Sequence, residues 1–218
     1  MAGYTSKATE DNPMRHWIVT SALSTLLACA ASAAPLKFDF KDPKGVNTVT
    51  FTLDAPLEAI SGSANGISGE VTFDPENPQS LSGTIIVEAE SLHVPNPTMK
   101  QHLHGADWMD VKKHPRLTFT TESISNVRTE GDVTTADVTG KLSIRGVTRS
   151  VTVPVRITYL KDKLGARTNG RMQGDLLVLR SQFTVKRSDF EINPGAPADK
   201  VADEIVLNLS VAGAAPRA

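Results

Sequence analysis

From Pro35 onward the chain alternates apolar and polar residues with a period of two, and this feature most restricts what it can fold into. Phe51 and Leu53 alternate with Thr50 and Thr52. Ile85, Val87 and Ala89 alternate with Thr84, Glu88 and Glu90, and Leu117 and Phe119 with Thr118 and Thr120. The longest stretch places Ala136, Val138, Gly140, Leu142 and Ile144 on one face, turns at Arg145-Gly146-Val147-Thr148, and resumes with Val151, Val153, Val155, Ile157 and Tyr159. That pattern is a long antiparallel hairpin. Later stripes follow at Leu177, Leu179, Phe183 and Val185, and at Ile205, Leu207, Leu209 and Val211. Turn clusters at 54–56, 74–79, 130–132, 162–165 and 193–200 separate the stripes.

About eight to ten strands follow from this pattern, several of ten residues or more, as over 134–145, 148–160 and 171–186. An open sheet of that size leaves exposed edges, so closure into a barrel is expected, and strand length favours a barrel over a sandwich. Such a barrel is wide enough to hold one small ligand. A single helix is expected from Thr98 to about Trp108. Thr98-Met99-Lys100-Gln101 reads as a capping box, and Met99, Leu103 and Ala106 recur at helical spacing. It would plug or cover one end of the barrel.

Composition adds exclusions. With 23 Lys+Arg against 24 Asp+Glu, a net charge of −1 and only 5% aromatic residues, neither phosphate neutralisation nor base stacking is provided for, so no nucleic-acid partner is expected. The N-terminus reads as a secretory signal peptide over 1–33. Arg15 and His16 precede an apolar run from Trp17 through Ala30, closed by Ala31-Ser32-Ala33. The polar stretch before Met14 reads as an extension upstream of the true start. Two processing sites compete: cleavage after Ala33, or lipidation of Cys29, the one cysteine, in Leu26-Leu27-Ala28-Cys29. The first predicts a periplasmic or secreted protein. The second predicts one tied to a membrane through its lipid. Residues 34–218 then form one domain.

No catalytic site is expected. His102, His104, Asp107, Asp110 and His114 form the densest group of metal-ligand types, but His102 and His104 point to different faces of a helix, and Pro115 opposes helical geometry at His114. Asp107 and Asp110 read as loop-tying residues, and no metal or cofactor is expected. There is no Gly-x-Ser-x-Gly elbow, and Asp189 in Arg187-Ser188-Asp189-Phe190 reads as structural.

Six motifs occur in one order: Gly69-Glu70-Val71-Thr72-Phe73-Asp74-Pro75-Glu76, Leu103-His104-Gly105-Ala106-Asp107-Trp108-Met109-Asp110-Val111, Lys113-His114-Pro115-Arg116-Leu117-Thr118-Phe119, Gly140 to Arg149, Arg187 to Phe190, and Val201 to Ile205. Together they resemble the YceI family over roughly residues 37–212. His114 stands where that family commonly has an aromatic residue. The resemblance implies an extended, lipocalin-like antiparallel barrel, exported in bacteria. It also implies that the barrel encloses an elongated hydrophobic ligand such as a polyisoprenoid or isoprenoid quinone.

Candidate lining residues are the inward members of the stripes. They are Ile85, Val87, Leu117 and Phe119; Val138, Leu142, Val153 and Val155; and Leu177, Leu179, Phe183 and Leu207. Leu103 and Trp108 join them from the helix. Two other functions compete with a hydrophobic-ligand carrier: a scaffold whose barrel is filled by its own side chains, and a barrel enzyme. Val206, an apolar residue on the outer parity, would support a homodimer.

Overall fold

The structure, a computed structural model, describes residues 1–5 and 34–217. Met14, the apolar run, Cys29 and both processing sites lie outside the described residues. Residues 1–5 carry no regular secondary structure. Among the described residues no helix is long and apolar enough to cross a membrane.

Ten strands follow the alternation: β1 (Leu36–Asp39), β2 (Thr48–Asp54), β3 (Ala59–Ala64), β4 (Ile67–Phe73), β5 (Ser82–Glu88), β6 (Arg116–Glu130), β7 (Val133–Ile144), β8 (Val147–Leu160), β9 (Gly174–Lys186) and β10 (Glu204–Pro216). They form one antiparallel sheet in the order β1-β4-β5-β6-β7-β8-β9-β10-β2-β3, and the pairing of Asp39 with Ala214 closes it. The fold is therefore a closed antiparallel barrel, with β3 ending the strand order beyond β2 and joined on its other side by a single bridge from Ser63 to His93.

The ten strands behave as eight staves. Both β1 and β2 run alongside β10, β1 meeting it at Ala214 and β2 over Val206 to Ser210. In the same way β4 pairs with β1, and β3 with β2. Each of these two staves is thus a pair of strands end to end. Between β1 and β2 the ladder is bridged by buried Asn47. Its Nδ2 donates to the carbonyls of Phe40 (3.0 Å) and Ala212 (3.1 Å), and its Oδ1 accepts from the Ala212 amide (2.9 Å). One side-chain amide there does the work of a missing peptide unit.

The long hairpin forms as the sequence predicts, with Ile144 opposite Val147 and a two-residue turn at Arg145 (φ 52°) and Gly146 (φ 79°). Positive φ at both positions gives the primed turn that matches strand twist. The ring of His114 packs on this turn, so a Cβ at Gly146 would stand 2.7 Å from its Cε1.

Among the described residues two α-helices stand where one was expected. The first, α1 (Pro97–His104), begins earlier and ends earlier than the capping-box reading. Asn96, not Thr98, is its N-cap, accepting from the Met99 amide at 3.0 Å, and Pro97 occupies the first helical turn. The second, α2 (Leu164–Arg167), lies against β9 and β10 and buries Leu164. It is clasped to the loop after β1 by Arg167 on Asp42 (3.2 Å) and by Lys44 Nζ on the Arg167 carbonyl (2.6 Å). At Asp42, burial pushes the carboxyl pKa up. The amides of Asn47, Lys44 and Val46 outweigh that and hold it below the usual carboxylate value.

Candidate functional site

Every stave contributes alternate side chains to the interior, yet the interior is filled at one end only. At the lower end, which carries the β6–β7 turn and α2, Phe38, Phe40, Phe73, Ile157 and Leu177 are each at most 1% exposed. The Tyr159 ring stands edge-on to Phe38 (centroids 6.4 Å apart, 82° between planes) and 6.3 Å from Phe73. Its hydroxyl donates to Asp175 at 2.9 Å, and burial together with that carboxylate pushes the phenol pKa up to about 12. Arg217 pairs with both Asp175 and Asp162 across the rim. This end is a solid floor.

Above the floor lies a cavity of about 460 Å3. Its wall begins at the height of Val71, Leu81, Val138 and Leu179, and continues through Ile85, Leu117, Phe119, Leu142, Val153, Val155, Phe183 and Leu207. The β2–β3 hairpin adds Val49, Phe51 and Ile60, and Met99, Leu103 and Trp108 approach from α1 and the loop after it. Gly140 keeps the wall thin. A Cβ there would lie 2.6 Å from Cζ of Phe119, so the ring rests across the glycine instead of standing into the lumen.

Polar groups are few: Thr118, Thr121 and Ser181 stand in the wall, and the ionisable ones gather at the upper end, beside α1 and the turns that join β7 to β8 and β9 to β10. Glu58 and His102 are exposed there, and Arg187 is buried at 3%. Asp203 next to it accepts from the Ser188 hydroxyl (2.7 Å) and amide (2.8 Å), and these bonds hold its carboxyl below the usual range. Ser181, inside the wall, donates to the Pro154 carbonyl at 2.6 Å and so presents little polarity to the lumen.

Residues 37–212 match the YceI-like domain model. The chain belongs to the YceI family. Among its relatives, a UPF0312 protein of Pectobacterium carotovorum is 27% identical over 192 residues, covering 87% of this chain and 92% of the relative. The crystal structure of Burkholderia cenocepacia BcnA matches at a TM-score of 0.62 and 25% identity, over 76% of this chain and 95% of that one. A polyisoprenoid binding domain from Saccharophagus degradans shares the fold at a TM-score of 0.60 and 9% identity, over 84% and 99%.

Within this YceI barrel, Ile85, Val87, Leu103, Trp108, Leu117, Phe119, Val138, Leu142, Val153, Val155, Leu179, Phe183 and Leu207 all face the cavity. Leu177 does not. It points inward, as its parity requires, but one pleat below Leu179, where it is fully buried in the floor. The histidine group is dispersed. His102 faces the lumen, His104 Nε2 lies 2.7 Å from the Leu92 carbonyl, and His114 packs on the Gly146 turn. Asp110 is a turn residue (φ 43°) whose carbonyl accepts from the His114 amide at 2.8 Å. Among the described residues no three potential metal ligands converge.

Proposed function

We propose that this YceI-family barrel is a carrier that sheathes an elongated hydrophobic molecule of polyisoprenoid or isoprenoid-quinone type. The observation that carries this reading is the apolar lumen itself. Its volume of about 460 Å3 falls within the roughly 300–1,000 Å3 of small-molecule sites, far above the voids of a packed core. From Leu179 to Arg187 the wall follows β9 for roughly 26 Å of strand at ~3.3 Å per residue, so the space is long as well as apolar. Each methylene moved from water into such a sheath gains about 0.8 kcal/mol, which is what a prenyl chain needs to cross an aqueous compartment. The shared fold of a polyisoprenoid binding domain supports the same ligand class. The signal-peptide pattern of residues 1–33 supports a periplasmic or secreted carrier, and lipidation at Cys29 is the alternative form, held at a membrane.

Organic extraction and mass spectrometry of protein purified from its native cell type tests the reading, beside a Phe183→Arg variant that puts a charge in the lumen. A prenyl lipid or quinone near one per protein, lost in a variant that remains folded by circular dichroism, is the expected result. Protein free of lipid that also fails to take up added isoprenoids sinks the proposal.

A further inference from the structure

The surface loops at the two ends of the barrel differ in charge. At the floor end, the loop after β1 (residues 41–46) and the segment around α2 (162–172) are clasped together. Arg167 pairs with Asp42 at 3.2 Å, and Lys44 Nζ donates to the Arg167 carbonyl at 2.6 Å. Lys41, Lys44, Lys163 and Arg171 are exposed there, and among the described residues none of them has a carboxylate within ion-pair distance. The two acids of these segments are already engaged, Asp42 by Arg167 and Asp162 by Arg217. Around the mouth the balance reverses. Residues 187–204 hold five carboxylates against two cations, and Asp54 and Glu58 flank the β2–β3 turn.

Two large apolar side chains stand exposed among the floor-end cations, Val46 at 66% and Met172 at 43%. Both are pinned by their own backbone. The Val46 amide donates to Asp42 at 2.8 Å. The Met172 amide donates to the Thr168 hydroxyl at 3.2 Å, and that hydroxyl lies 3.3 Å from the Met172 carbonyl. Leu57, as exposed as Val46, is at the mouth beside Glu58, where an anionic surface is repelled. Unpaired cations around exposed apolar side chains complement an anionic bilayer, with ammonium and guanidinium groups at the headgroups and the apolar groups at the acyl boundary. The chain path agrees. Leu36 opens β1 opposite Phe73 of the floor, so the chain enters the barrel at this end. Cys29 is seven residues earlier in the sequence, within about 25 Å of Leu36 at full extension, so an acyl chain there would reach the same membrane.

We infer that the α2 edge of the floor end docks on an anionic phospholipid surface and leaves the mouth of the barrel turned toward the aqueous side. The far edge of the same end bears Glu76 and Asp132 beside Lys161, so the contact is one-sided and the barrel leans on α2. The inference does not depend on what the lumen holds.

Co-sedimentation of protein purified from its native cell type with vesicles of phosphatidylglycerol or of phosphatidylcholine tests it. An acyl chain on Cys29 partitions into both, so the ratio of the two affinities isolates the charged surface. At low salt the expected ratio is at least about tenfold in favour of phosphatidylglycerol, falling to near one at about 1 M salt, where the screening length is about 3 Å. Lys41→Glu with Lys163→Glu, neither of whose side chains makes a hydrogen bond among the described residues, removes most of that preference while circular dichroism is unchanged. The same reversal at the mouth, Lys112→Glu with Lys113→Glu, leaves it intact. Met172→Ser weakens binding to phosphatidylglycerol a few-fold without changing its salt dependence. Equal affinity for the two lipids, or binding to neither, overturns the inference and leaves the carrier reading untouched. A preference that survives the floor-end reversal, or that the mouth-end pair removes equally, overturns the assignment to the α2 edge.

Discussion

The lower and upper ends of this barrel are built from the same staves with the same inward parity, and they differ in what stands on the inward positions. Below Leu179 the inward residues include four large rings: Tyr159 meets Phe38 and Phe73, Phe40 lies over Gly213, and the three phenylalanines are at most 1% exposed. Above it the wall carries Phe51, Phe119, Phe183 and Trp108 among Val, Leu and Ile, but Phe119 is laid over Gly140, and a cavity opens. Hollow and solid are therefore set by how the side chains meet at each height: rings contact one another in the floor and lie along the wall above it. The floor supplies close packing, and the upper half gives up packing to make room.

The most direct way to break this comparison is to make the same truncation at both ends. Leu177→Ala removes a fully buried side chain from the floor and should cost about 2–5 kcal/mol of unfolding free energy. Leu207→Ala removes one that already borders empty space, and should cost under about 1.5 kcal/mol. Urea denaturation of the two variants reads the difference directly. Equal losses would mean that the upper lumen is packed in solution.

Asn47 joins the two halves, because β1 lines the lower part of its stave and β2 the upper. Asn47→Ala strands two carbonyls and an amide inside the protein, and the expected loss is about 2–4 kcal/mol. Asn47→Asp restores only the acceptor, so its midpoint should also lie well below that of the unmodified protein. A near-neutral Asn47→Ala would show that the seam is held by the neighbouring ladders alone.

How much of this was legible in the sequence follows the same division. Period-two alternation names the inward face of each strand, since parity is fixed by the pleat. Height along the barrel is not encoded by parity. Leu177 and Leu179 look alike in the sequence, yet one is floor and the other wall, because the floor is made by Phe38, Phe40 and Phe73 from strands distant in sequence. The β2–β3 contribution through Val49 and Ile60 is missed for a related reason: that hairpin reaches the lumen only once β10 has positioned it. Arg187 reads as part of a strand-to-turn motif. The signal that would have marked it is a lone arginine continuing the inward parity of Leu179, Ser181, Phe183 and Val185. The helix at Leu164–Arg167 falls beside a turn cluster and is too short to carry a period of its own.

A pH titration sharpens the comparison by addressing the floor's charged rim. At Asp175, burial pushes the pKa up, but the Asp162 amide, the Tyr159 hydroxyl and Arg217 together hold it below its ordinary 3.8. A carboxyl whose folded pKa is depressed stabilises the fold above the unfolded value, and that contribution is lost as pH falls below about 3.8 through the folded value. Asp175→Asn should therefore cost on the order of 1–2 kcal/mol at neutral pH and flatten the acid limb of the stability curve. Part of that limb remains, because Asp42 and Asp203 are depressed as well. Tyr159 has the opposite sign. Its raised pKa gives stability below about pH 10 that fades as pH rises toward 12, and Tyr159→Phe should remove that alkaline limb.

The smallest effect is expected at the helix beside the lumen, where the question is whether α1 covers the cavity as a plug or moves. None of its residues is fully buried, and its first turn is held by the Asn96 side chain on the Met99 amide. Losing that cap, Asn96→Ala should cost about 1 kcal/mol of helix stability, with the barrel's denaturation midpoint shifting by no more than that. The informative readout is local. Amide hydrogen exchange over 99–104 should speed up several-fold while β7 to β10 keep their protection, because opening one turn leaves the ladders intact. If α1 covers the path into the lumen, an added isoprenoid such as farnesol should also associate faster with Asn96→Ala, with dissociation accelerated in proportion and affinity nearly unchanged. Faster exchange with no change in association rate would make α1 a fixed plug and place the entry path elsewhere on the rim, among the turns around Glu58 and Val201 that share the same end of the cavity.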